Sequence, residues 1–264
     1  PYAAATGVNI IWDESSAEGV AKLRAQNEAG NVTWDVIDVL ATDGIRLCDE
    51  GLVEEVDFDD WLAPAPDGTS ASEDLGQNVV SDSLINECFI PQIVFSTTFG
   101  YRTDVAEWNG TTPTSLCDIF DLEKFPGKRA LEKRPKKNLE WALLCDGVAK
   151  DDLYDVLSTP EGVDRALAKL ATIKDQTIWW SAGAETPQLL ADKEIVMGST
   201  YNGRHFSVIA EQKQPVAMLW DWQVFDFAGW VVPADLPKER LDRVMNFLYF
   251  ATDTQRLADQ AKYI

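Results

Sequence analysis

Two long β-rich stretches, one near the middle of the chain and one near its end, constrain the fold more than any other feature. They cover residues 89–102 and 216–233, and each is long enough to pass from one domain into another. Strands and helices alternate before, between and after them, which indicates an α/β fold with a largely parallel sheet. A chain that leaves one lobe, builds a second and returns is therefore predicted to form two lobes joined by two strands.

The predicted lobe boundaries follow from these two crossings. Lobe 1 takes residues 1–95 and 228–264, and lobe 2 takes residues 96–227. The hinge crossings lie near residues 93–98 and 222–229. The cleft between two such lobes is a natural ligand site, and closure of the lobes around a ligand is the expected motion.

Short apolar runs and capping residues locate the elements within each lobe. One predicted strand ends at Leu131, and the others cover residues 8–12, 34–40, 177–180 and 194–198. Predicted helices cover residues 16–26, 42–50, 138–145, 151–157, 160–173, 186–191, 239–250 and 252–262. Residues 57–77 are acidic and rich in Pro, Gly and Ser, which predicts a surface loop.

The two ends of the sequence resemble positions inside a domain. Residues 1–7 have the pattern of a helix end followed by a Gly cap, and residues 261–264 follow a helix with no stop signal. We therefore expect a fold that is trimmed at both ends. No run approaches the ~20 apolar residues that are needed to cross a bilayer.

An excess of acidic side chains limits the partners that the chain can bind. The 264 residues include 44 acidic and 23 basic side chains, which gives a formal net charge of −21. Phosphate binding needs basic patches, so this charge disfavours nucleic acid and anionic membrane surfaces. The charge could steer cationic ligands toward the protein, but solubility, as in a salty habitat, is the favoured explanation.

The cysteine pattern favours disulfide bonds over a metal site. Cys48, Cys88, Cys117 and Cys145 form no Cys-x-x-Cys pair, and His205 is the only histidine, so we expect no zinc site. An even count in an exported protein is compatible with two disulfide bonds. We predict Cys48–Cys88 and Cys117–Cys145, because each pair then falls within one lobe, and four buried thiols are the alternative.

Two segments of the second half combine a cation, a carboxylate and several aromatic rings. Arg204 follows an Asn-Gly turn after a strand, and a guanidinium can hold a carboxylate bidentately. Asp226 lies in the second crossing, where its carboxylate would hold an ammonium group. Tyr201, Trp222 and Phe225 would pack on the methylenes of the ligand or attract its ammonium group. The set suits a small ligand with one carboxylate and one ammonium group.

Hydroxyl-bearing residues near strand ends complete the predicted site, namely Ser96, Thr97, Tyr101, Ser15 and Thr42. Asp221 is an alternative acid, and Thr186 and Gln188 stand at a helix start, where free N–H groups favour anions. These residues also have structural alternatives, which are core packing for the aromatic rings, strand pairing for the hydroxyls of the first crossing, a surface ion pair for Arg204 and a hinge hydrogen bond to the backbone for Asp226.

No catalytic signature competes with this binding site. The sequence contains no Gly-x-Ser-x-Gly, His-Glu-x-x-His or phosphate-loop motif. His205 adjoins Arg204 but has no serine or cysteine in a nucleophile motif to activate. We therefore expect a binding protein without a cofactor rather than an enzyme that uses Arg204, His205 and Asp226.

A series of short motifs resembles one family of proteins. The motifs are Gly-Lys-Arg-Ala-Leu at 127–131, Pro-Glu-Gly-Val-Asp at 160–164, Trp-Trp-Ser-Ala-Gly-Ala at 179–184, Pro-Gln-Leu-Leu-Ala-Asp at 187–192 and Tyr-Asn-Gly-Arg at 201–204. In this order they resemble the substrate-binding proteins of bacterial ABC importers, in the spermidine/putrescine-type group of family 1 solute-binding proteins. The resemblance extends over essentially all 264 residues.

The resemblance implies a fold, a location and a partner. The fold is the two-lobed periplasmic binding protein type II fold, with a hinge of two strands and no enzymatic activity. Such proteins are made as precursors with a signal peptide, act as monomers in the periplasm and deliver their ligand to the membrane permease of an ABC transporter. They carry one more strand before residue 1, with binding aromatics, and more chain after Ile264.

The sequence departs from the polyamine receptors of this group in its charged residues. Those receptors hold ammonium groups with acidic residues, and the resemblance aligns Arg134, Lys137 and Ala228 with positions of such acids. Some members bind γ-aminobutyrate and related amino acids instead, which suits Arg204. The leading hypothesis is therefore a zwitterion such as γ-aminobutyrate, with Arg204 on its carboxylate and Asp226 on its ammonium group. A putrescine or spermidine receptor is the alternative, and a ferric-iron receptor is disfavoured because no Tyr-Tyr pair occurs.

Overall fold

The computed structural model describes residues 1–13, 18–77 and 86–262, and in it the chain divides into two compact units. Unit 1 consists of Pro1–Phe95 and Asp226–Tyr263, and unit 2 consists of Ser96–Phe225. Both boundaries between the units fall inside long strands, β2 (Ile90–Arg102) and β6 (Val216–Val231). Within the described ranges, no helix has the length and apolar character that a membrane span requires.

Unit 1 is built from one short strand, parts of the two long strands and several helices. The short strand β1 (Ile37–Leu40) pairs antiparallel with β6, with Ile37 opposite Val231 and Leu40 opposite Ala228. The α-helices are α1 (Tyr2–Thr6), α2 (Gly19–Glu28), α3 (Ala41–Asp49), α4 (Phe58–Trp61), α10 (Lys238–Ala251) and α11 (Thr254–Gln260), and Ser72–Gln77 forms a π-helix. Ser16, the predicted N-cap residue of α2, lies outside the described residues.

Two sequence predictions for unit 1 are wrong. The segment at residues 8–12 forms no strand, and the side chains of Ile11 and Trp12 are 87% and 83% exposed. An apolar run forms a strand only where a neighbour satisfies its backbone groups, and none of the described strands pairs with this segment. Residues 57–77 are not a surface loop, because Leu62 and Leu75 are buried in a core cluster with Trp230.

Unit 2 carries the remaining strands, β3 (Arg129–Glu132), β4 (Thr177–Trp180) and β5 (Met197–Tyr201), in the order β2-β5-β3-β4. Its α-helices are α5 (Asn138–Cys145), α6 (Leu153–Leu157), α7 (Pro160–Ala171), α8 (Glu185–Ala191) and α9 (Asn202–Phe206). Its other helical segments are the 3-10 helices Ala106–Trp108, Leu116–Phe120, Lys150–Asp152 and Lys174–Gln176 and the π-helix Ser207–Glu211. Thr159 caps α7 as predicted, since its hydroxyl accepts the N–H of Gly162 at 3.0 Å.

The sheet is mixed rather than largely parallel. β3 pairs parallel with both β4 and β5, as expected for strands joined through helices. The two long crossing strands run antiparallel to these neighbours, since β2 pairs antiparallel with β5 and β6 pairs antiparallel with β1. β5 also begins later than the apolar run at residues 194–198 suggests, since Ile195 packs in the core before the strand starts.

Each unit contains one disulfide bond. Cys48 bonds Cys88 in unit 1, and Cys117 bonds Cys145 in unit 2. These are the pairs favoured from the sequence. The second bond links the 3-10 helix Leu116–Phe120 to α5, both of which contribute to the largest core cluster of unit 2.

Candidate functional site

One edge of the unit 2 sheet gathers four of the ten predicted binding residues. The parallel strands β3, β4 and β5 end there at Glu132, Trp180 and Tyr201. β2 runs in the opposite direction, so its Thr97, which stands opposite Tyr201, lies at the same edge. Ligands of α/β proteins bind beside the carboxyl ends of strands, so we refer to this edge as the carboxyl edge.

Ser96 and Thr97 contribute differently to the carboxyl edge. The N–H of Ser96 donates to the Asn202 side-chain oxygen at 2.9 Å, which ties β2 to the start of α9. Thr97 is buried, and its hydroxyl has no hydrogen-bond partner among the described residues. A buried hydroxyl without a partner is uncommon in proteins, and at a strand end it is a candidate for a ligand contact.

Tyr201 and Arg204 follow one another out of the last strand of this edge. The Tyr201 ring meets the buried Trp180 indole edge to face, with the ring centroids 6.1 Å apart. Three residues later Arg204 lies on α9 with an exposed side chain. Within the part of the chain that the structure describes, Arg204 has no side-chain hydrogen bond or ion pair. Its guanidinium therefore keeps its donors available to a ligand.

A cluster of charged residues after β3 completes the edge. The Glu132 carboxylate lies 3.7 Å from Arg134 Nε and 3.8 Å from Lys137 Nζ. Lys137 is only 4% exposed, and its Nζ lies 5.6 Å from the centroid of the Tyr201 ring. The positive charge of a buried ammonium is stabilised both by a nearby carboxylate and by the face of an aromatic ring. The single acid of the cluster is thus already shared by two cations.

The second crossing presents two aromatic side chains from unit 2. Trp222 and Phe225 on β6 are 41% and 60% exposed. Trp222 has a positive φ of 52°, and its carbonyl accepts the Trp141 indole N–H at 2.9 Å. Both side chains are exposed, and their predicted contact with a ligand remains a proposal.

The predicted residues of unit 1 are fewer. Asp226 is 7% exposed, and its Oδ1 accepts the N–H of Phe227 at 3.1 Å. Thr42 is exposed in the first turn of α3, directly after β1. Ser15 lies outside the described residues.

Several other candidates have structural roles. Tyr101 stands opposite Met197, the first residue of β5, and packs on the core, so it is not at the carboxyl edge. Asp221 accepts the N–H of Leu116 at 2.8 Å, which caps a 3-10 helix. The Gln188 side-chain amide donates to the Asp192 carboxylate, and the Thr186 hydroxyl donates to the Ser199 carbonyl, so both side chains make contacts within unit 2.

His205 is a core residue despite its position next to Arg204. Its ring is fully buried, lies 3.4 Å from the Thr98 carbonyl, and occupies the space beside Gly100 where any side chain would collide with it. Burial lowers the pKa of His205 to about 4, so the ring is neutral at pH 7. A fully buried, neutral imidazole is not accessible to a substrate.

Sequence reasoning gave no ligand role to Lys137, although the signal was present. Lys133, Arg134, Lys136 and Lys137 lie within five positions directly after β3, in a chain with only 23 basic residues. A basic run at the carboxyl end of a strand, in an acidic protein, indicates an anion contact. The sequence alone did not show that Lys137 folds back under Tyr201.

Unit 1 has a surface pocket that is separate from the carboxyl edge. It has a volume of about 610 Å³ in unit 1 and includes Tyr2, Arg243, Tyr249 and Phe250 among its lining residues. None of the predicted binding residues lines it. Among the described residues, no group of His, Cys, Asp and Glu side chains is placed to hold a metal ion.

Comparison with known proteins gives a consistent assignment. The family model described as bacterial extracellular solute-binding protein matches residues 1–264. The γ-aminobutyric acid-binding protein of Pseudomonas aeruginosa is 38% identical over 258 residues, which cover 97% of this chain and 67% of that protein.

Solved structures agree with the sequence matches. A structure described as a GABA receptor superposes with a TM-score of 0.74 at 32% identity, over 99% of this chain and 74% of the receptor. The PBP MotA from A. tumefaciens B6, in complex with glucopine, superposes with a TM-score of 0.77 at 27% identity, over 97% of this chain and 73% of MotA. The α/β fold is thus that of solved solute-binding proteins.

Proposed function

The chain belongs to the family of bacterial extracellular solute-binding proteins, and we propose that it is a periplasmic receptor for a small zwitterionic amino acid such as γ-aminobutyrate. In this role it would hand its ligand to the membrane permease of an ABC importer and leave the ligand chemically unchanged. Two relatives that are more than 30% identical are described as γ-aminobutyrate-binding, which supports this ligand class.

The observation that carries the proposal is the charge of the carboxyl edge. Arg204 is exposed and has no side-chain hydrogen bond or ion pair among the described residues, and Arg134 and Lys137 both lie within ion-pair distance of Glu132, at 3.7 and 3.8 Å. Among the described residues beside these strand ends, the cations Arg204, Arg134 and Lys137 outnumber the acids Glu132 and Glu185, within a protein whose formal net charge is −21. A ligand carboxylate is attracted to such an edge, and a ligand ammonium group is repelled by it.

Each part of the proposed ligand has a matching group. Arg204 binds the carboxylate through its planar pair of donors, and the nearby Lys137 ammonium adds positive potential. Asp226 binds the ammonium group, and Tyr201, Trp222 and Phe225 pack on the methylenes. Two charged anchors reject fatty acids and diamines alike, because each of these leaves one buried charge without a partner.

Ser96, Thr97, Ser15 and Thr42 are proposed as hydroxyl or backbone contacts of the same ligand. Thr97 has the strongest support, since its buried hydroxyl has no partner among the described residues. Tyr101 is not proposed as a ligand contact, because on β2 it stands opposite Met197, at the end of β5 that is far from the carboxyl edge.

A polyamine receptor remains the second candidate, and the net charge of −21 favours it. A polycation needs several carboxylates that are not already neutralised. Glu132 is paired with two cations, and Ala228 stands where the resemblance to polyamine receptors expects an acid.

The decisive experiment is a calorimetric titration of the ligand-stripped protein with γ-aminobutyrate, putrescine and spermidine. We expect binding of γ-aminobutyrate, and a loss of roughly 30- to 100-fold in affinity for Arg204→Gln, because a charge-assisted bidentate contact is removed. Arg243→Gln is the matched control, since Arg243 is an exposed arginine of unit 1 outside the proposed contacts. Recovery of unaltered γ-aminobutyrate after long incubation tests the absence of turnover.

Two results would contradict the assignment. Unchanged affinity in Arg204→Gln would remove this residue from the ligand contacts. Tight binding of putrescine or spermidine without γ-aminobutyrate binding would establish the polyamine alternative.

A further inference from the structure

Trp222 has a backbone conformation that large residues rarely adopt. Its φ of 52° lies in the left-handed region, inside the long strand β6. Among the described residues, the other non-glycine residues with positive φ are Asn109, Lys137, Lys193, Lys213 and Asp235, so Trp222 is the one aromatic residue in this group. This conformation costs free energy for a side chain with a Cβ and persists only where the surroundings impose it.

Hydrogen bonds on both sides of this residue impose the conformation. The indole N–H of Trp141 donates to the Trp222 carbonyl at 2.9 Å. The carboxylate of the preceding Asp221 accepts the Ser115 hydroxyl at 3.1 Å and the Leu116 N–H at 2.8 Å. The chain is thus tied at consecutive residues to two different helical segments of unit 2.

A disulfide bond joins those two segments to each other. Cys117 lies in the 3-10 helix that Asp221 caps, and Cys145 is the last residue of α5, which carries Trp141. Trp141 is itself 3% exposed and packs against Phe99, with the ring centroids 4.8 Å apart. The ties and the disulfide therefore form a closed frame that is anchored in the core of the unit.

The strained backbone of Trp222 is not accompanied by burial of its side chain. It is 41% exposed, although a tryptophan placed for stability would be buried. Backbone strain that is maintained around an exposed aromatic ring is typical of functional positions. The neighbouring Phe225, at 60%, is exposed on the same strand.

We propose that Trp141, Asp221 and the Cys117–Cys145 disulfide form a clamp that holds Trp222 in its strained conformation, so that the indole is preorganised for contact with the ligand. Trp141, Asp221 and the two cysteines are positioning residues, since they act on the ligand through Trp222. The inference rests on the proposed function for its ligand. A preorganised ring loses less conformational entropy on binding, which raises affinity.

The first test separates the ring from the backbone strain. Trp222→Ala and Trp222→Gly both remove the indole, and both are expected to weaken γ-aminobutyrate binding about 10-fold in calorimetric titration. Only glycine relieves the strain at a positive φ, so Trp222→Gly should unfold about 2–4 °C above Trp222→Ala in thermal denaturation. A tryptophan with a purely structural role would give no loss of affinity.

The second test uses the two disulfides as matched controls. Cys117→Ser/Cys145→Ser is expected to weaken binding about 5-fold, and Cys48→Ser/Cys88→Ser to leave affinity within twofold, measured below the unfolding temperature of each variant. Trp141→Phe keeps an aromatic ring against Phe99 but removes the N–H donor and part of the buried ring volume, so it should weaken binding as well. In the Trp222→Ala background both clamp variants should have no further effect on affinity, which is the signature of positioning rather than general loosening.

The outcomes are distinct for the clamp and for the proposed function. The clamp is overturned if Trp222→Ala binds like wild type, or if both disulfide pairs affect affinity equally. If the wild-type protein binds neither γ-aminobutyrate nor putrescine, the proposed function fails. The clamp is then tested by the unfolding temperatures of the two Trp222 variants alone. An unfolding temperature of Trp222→Gly no higher than that of Trp222→Ala would overturn the clamp.

Discussion

Arg129 and Arg204 belong to the same unit and carry the same side chain, yet their surroundings are opposite. Arg129 is fully buried, and its guanidinium donates to the carbonyls of Ile119, Asp121, Phe125 and Gly127. Arg204 is exposed and makes no side-chain hydrogen bond or ion pair within the described chain. The fold satisfies the donors of Arg129, whereas the donors of Arg204 have no partner within the described chain and are proposed to bind the ligand.

The difference shows how to separate structural from functional charge in this molecule. Burial lowers the pKa of Arg129 to about 10, still well above neutrality, so the group remains charged and is balanced by carbonyl dipoles. His205, next to Arg204 in sequence, is also buried in the core. Functional groups are therefore identified by donors that the fold does not satisfy, more than by residue type or sequence position.

The largest expected effect comes from removing the donors of Arg129. Arg129→Met keeps much of the side-chain volume but leaves two buried and two partly buried carbonyl contacts without their donors, so the free energy of unfolding should fall by about 4 kcal/mol. Arg129→Lys retains the charge and part of the hydrogen bonding, and should lose about half as much. Urea unfolding of the two variants beside wild type measures both losses. Equal stability of all three proteins would show that the carbonyl network contributes nothing.

The contrast between these two arginines was not visible in the sequence. The sequence did predict the elements with strong periodicity or caps, such as α5 at its observed bounds Asn138–Cys145 and β4 at Thr177–Trp180. It failed at residues 8–12, where apolar composition alone does not supply a partner strand. It also failed at residues 57–77, where a few apolar side chains in a polar segment enter the core.

The sequence indicated where the candidate site residues lie, and their binding role stays a prediction. Arg204 was predicted because it follows a strand, Thr97 because it borders the first crossing and Tyr201 because its ring could pack on the ligand, and the structure places all three beside one edge of the sheet. The proximity of Lys137 to Tyr201 depends on how the chain turns after β3, with a positive φ of 76° at Lys137. No local pattern specifies such a turn at a lysine. Likewise, the capping role of Asp221 depends on a segment more than a hundred residues earlier.

An intermediate effect is expected from the buried histidine as pH falls. The pKa of His205 is lowered by burial from 6.5 to about 4, so between these values the unfolded chain binds a proton that the folded chain does not. Its contribution to stability is complete above pH 6.5 and is lost as pH falls toward 4. Between pH 7 and pH 5 the free energy of unfolding should decrease by about 2 kcal/mol from this group.

The control for the histidine is its replacement by a residue that does not titrate. His205→Gln will be less stable than wild type at pH 7, because the fully buried site is repacked, but its stability should vary less between pH 7 and pH 5. Most carboxylates titrate below this window, so the difference in slope isolates the imidazole. Parallel stability curves for the two proteins from pH 7 to pH 5 would show that His205 titrates normally.

The smallest expected effect on stability is that of Arg204, and it completes the contrast with Arg129. Arg204→Gln removes an exposed charge that has no ion pair or side-chain hydrogen bond within the described chain, so the free energy of unfolding should change by less than about 0.5 kcal/mol. The same variant is expected to lose most of its ligand affinity, whereas Arg129→Lys should lose stability first. Urea unfolding and ligand titration of both variants therefore give opposite patterns if the two arginines differ as the structure indicates. A loss of stability in Arg204→Gln comparable to that of Arg129→Lys would mean that Arg204 supports the fold, and its weakened binding would then be explained by unfolding rather than by a lost contact.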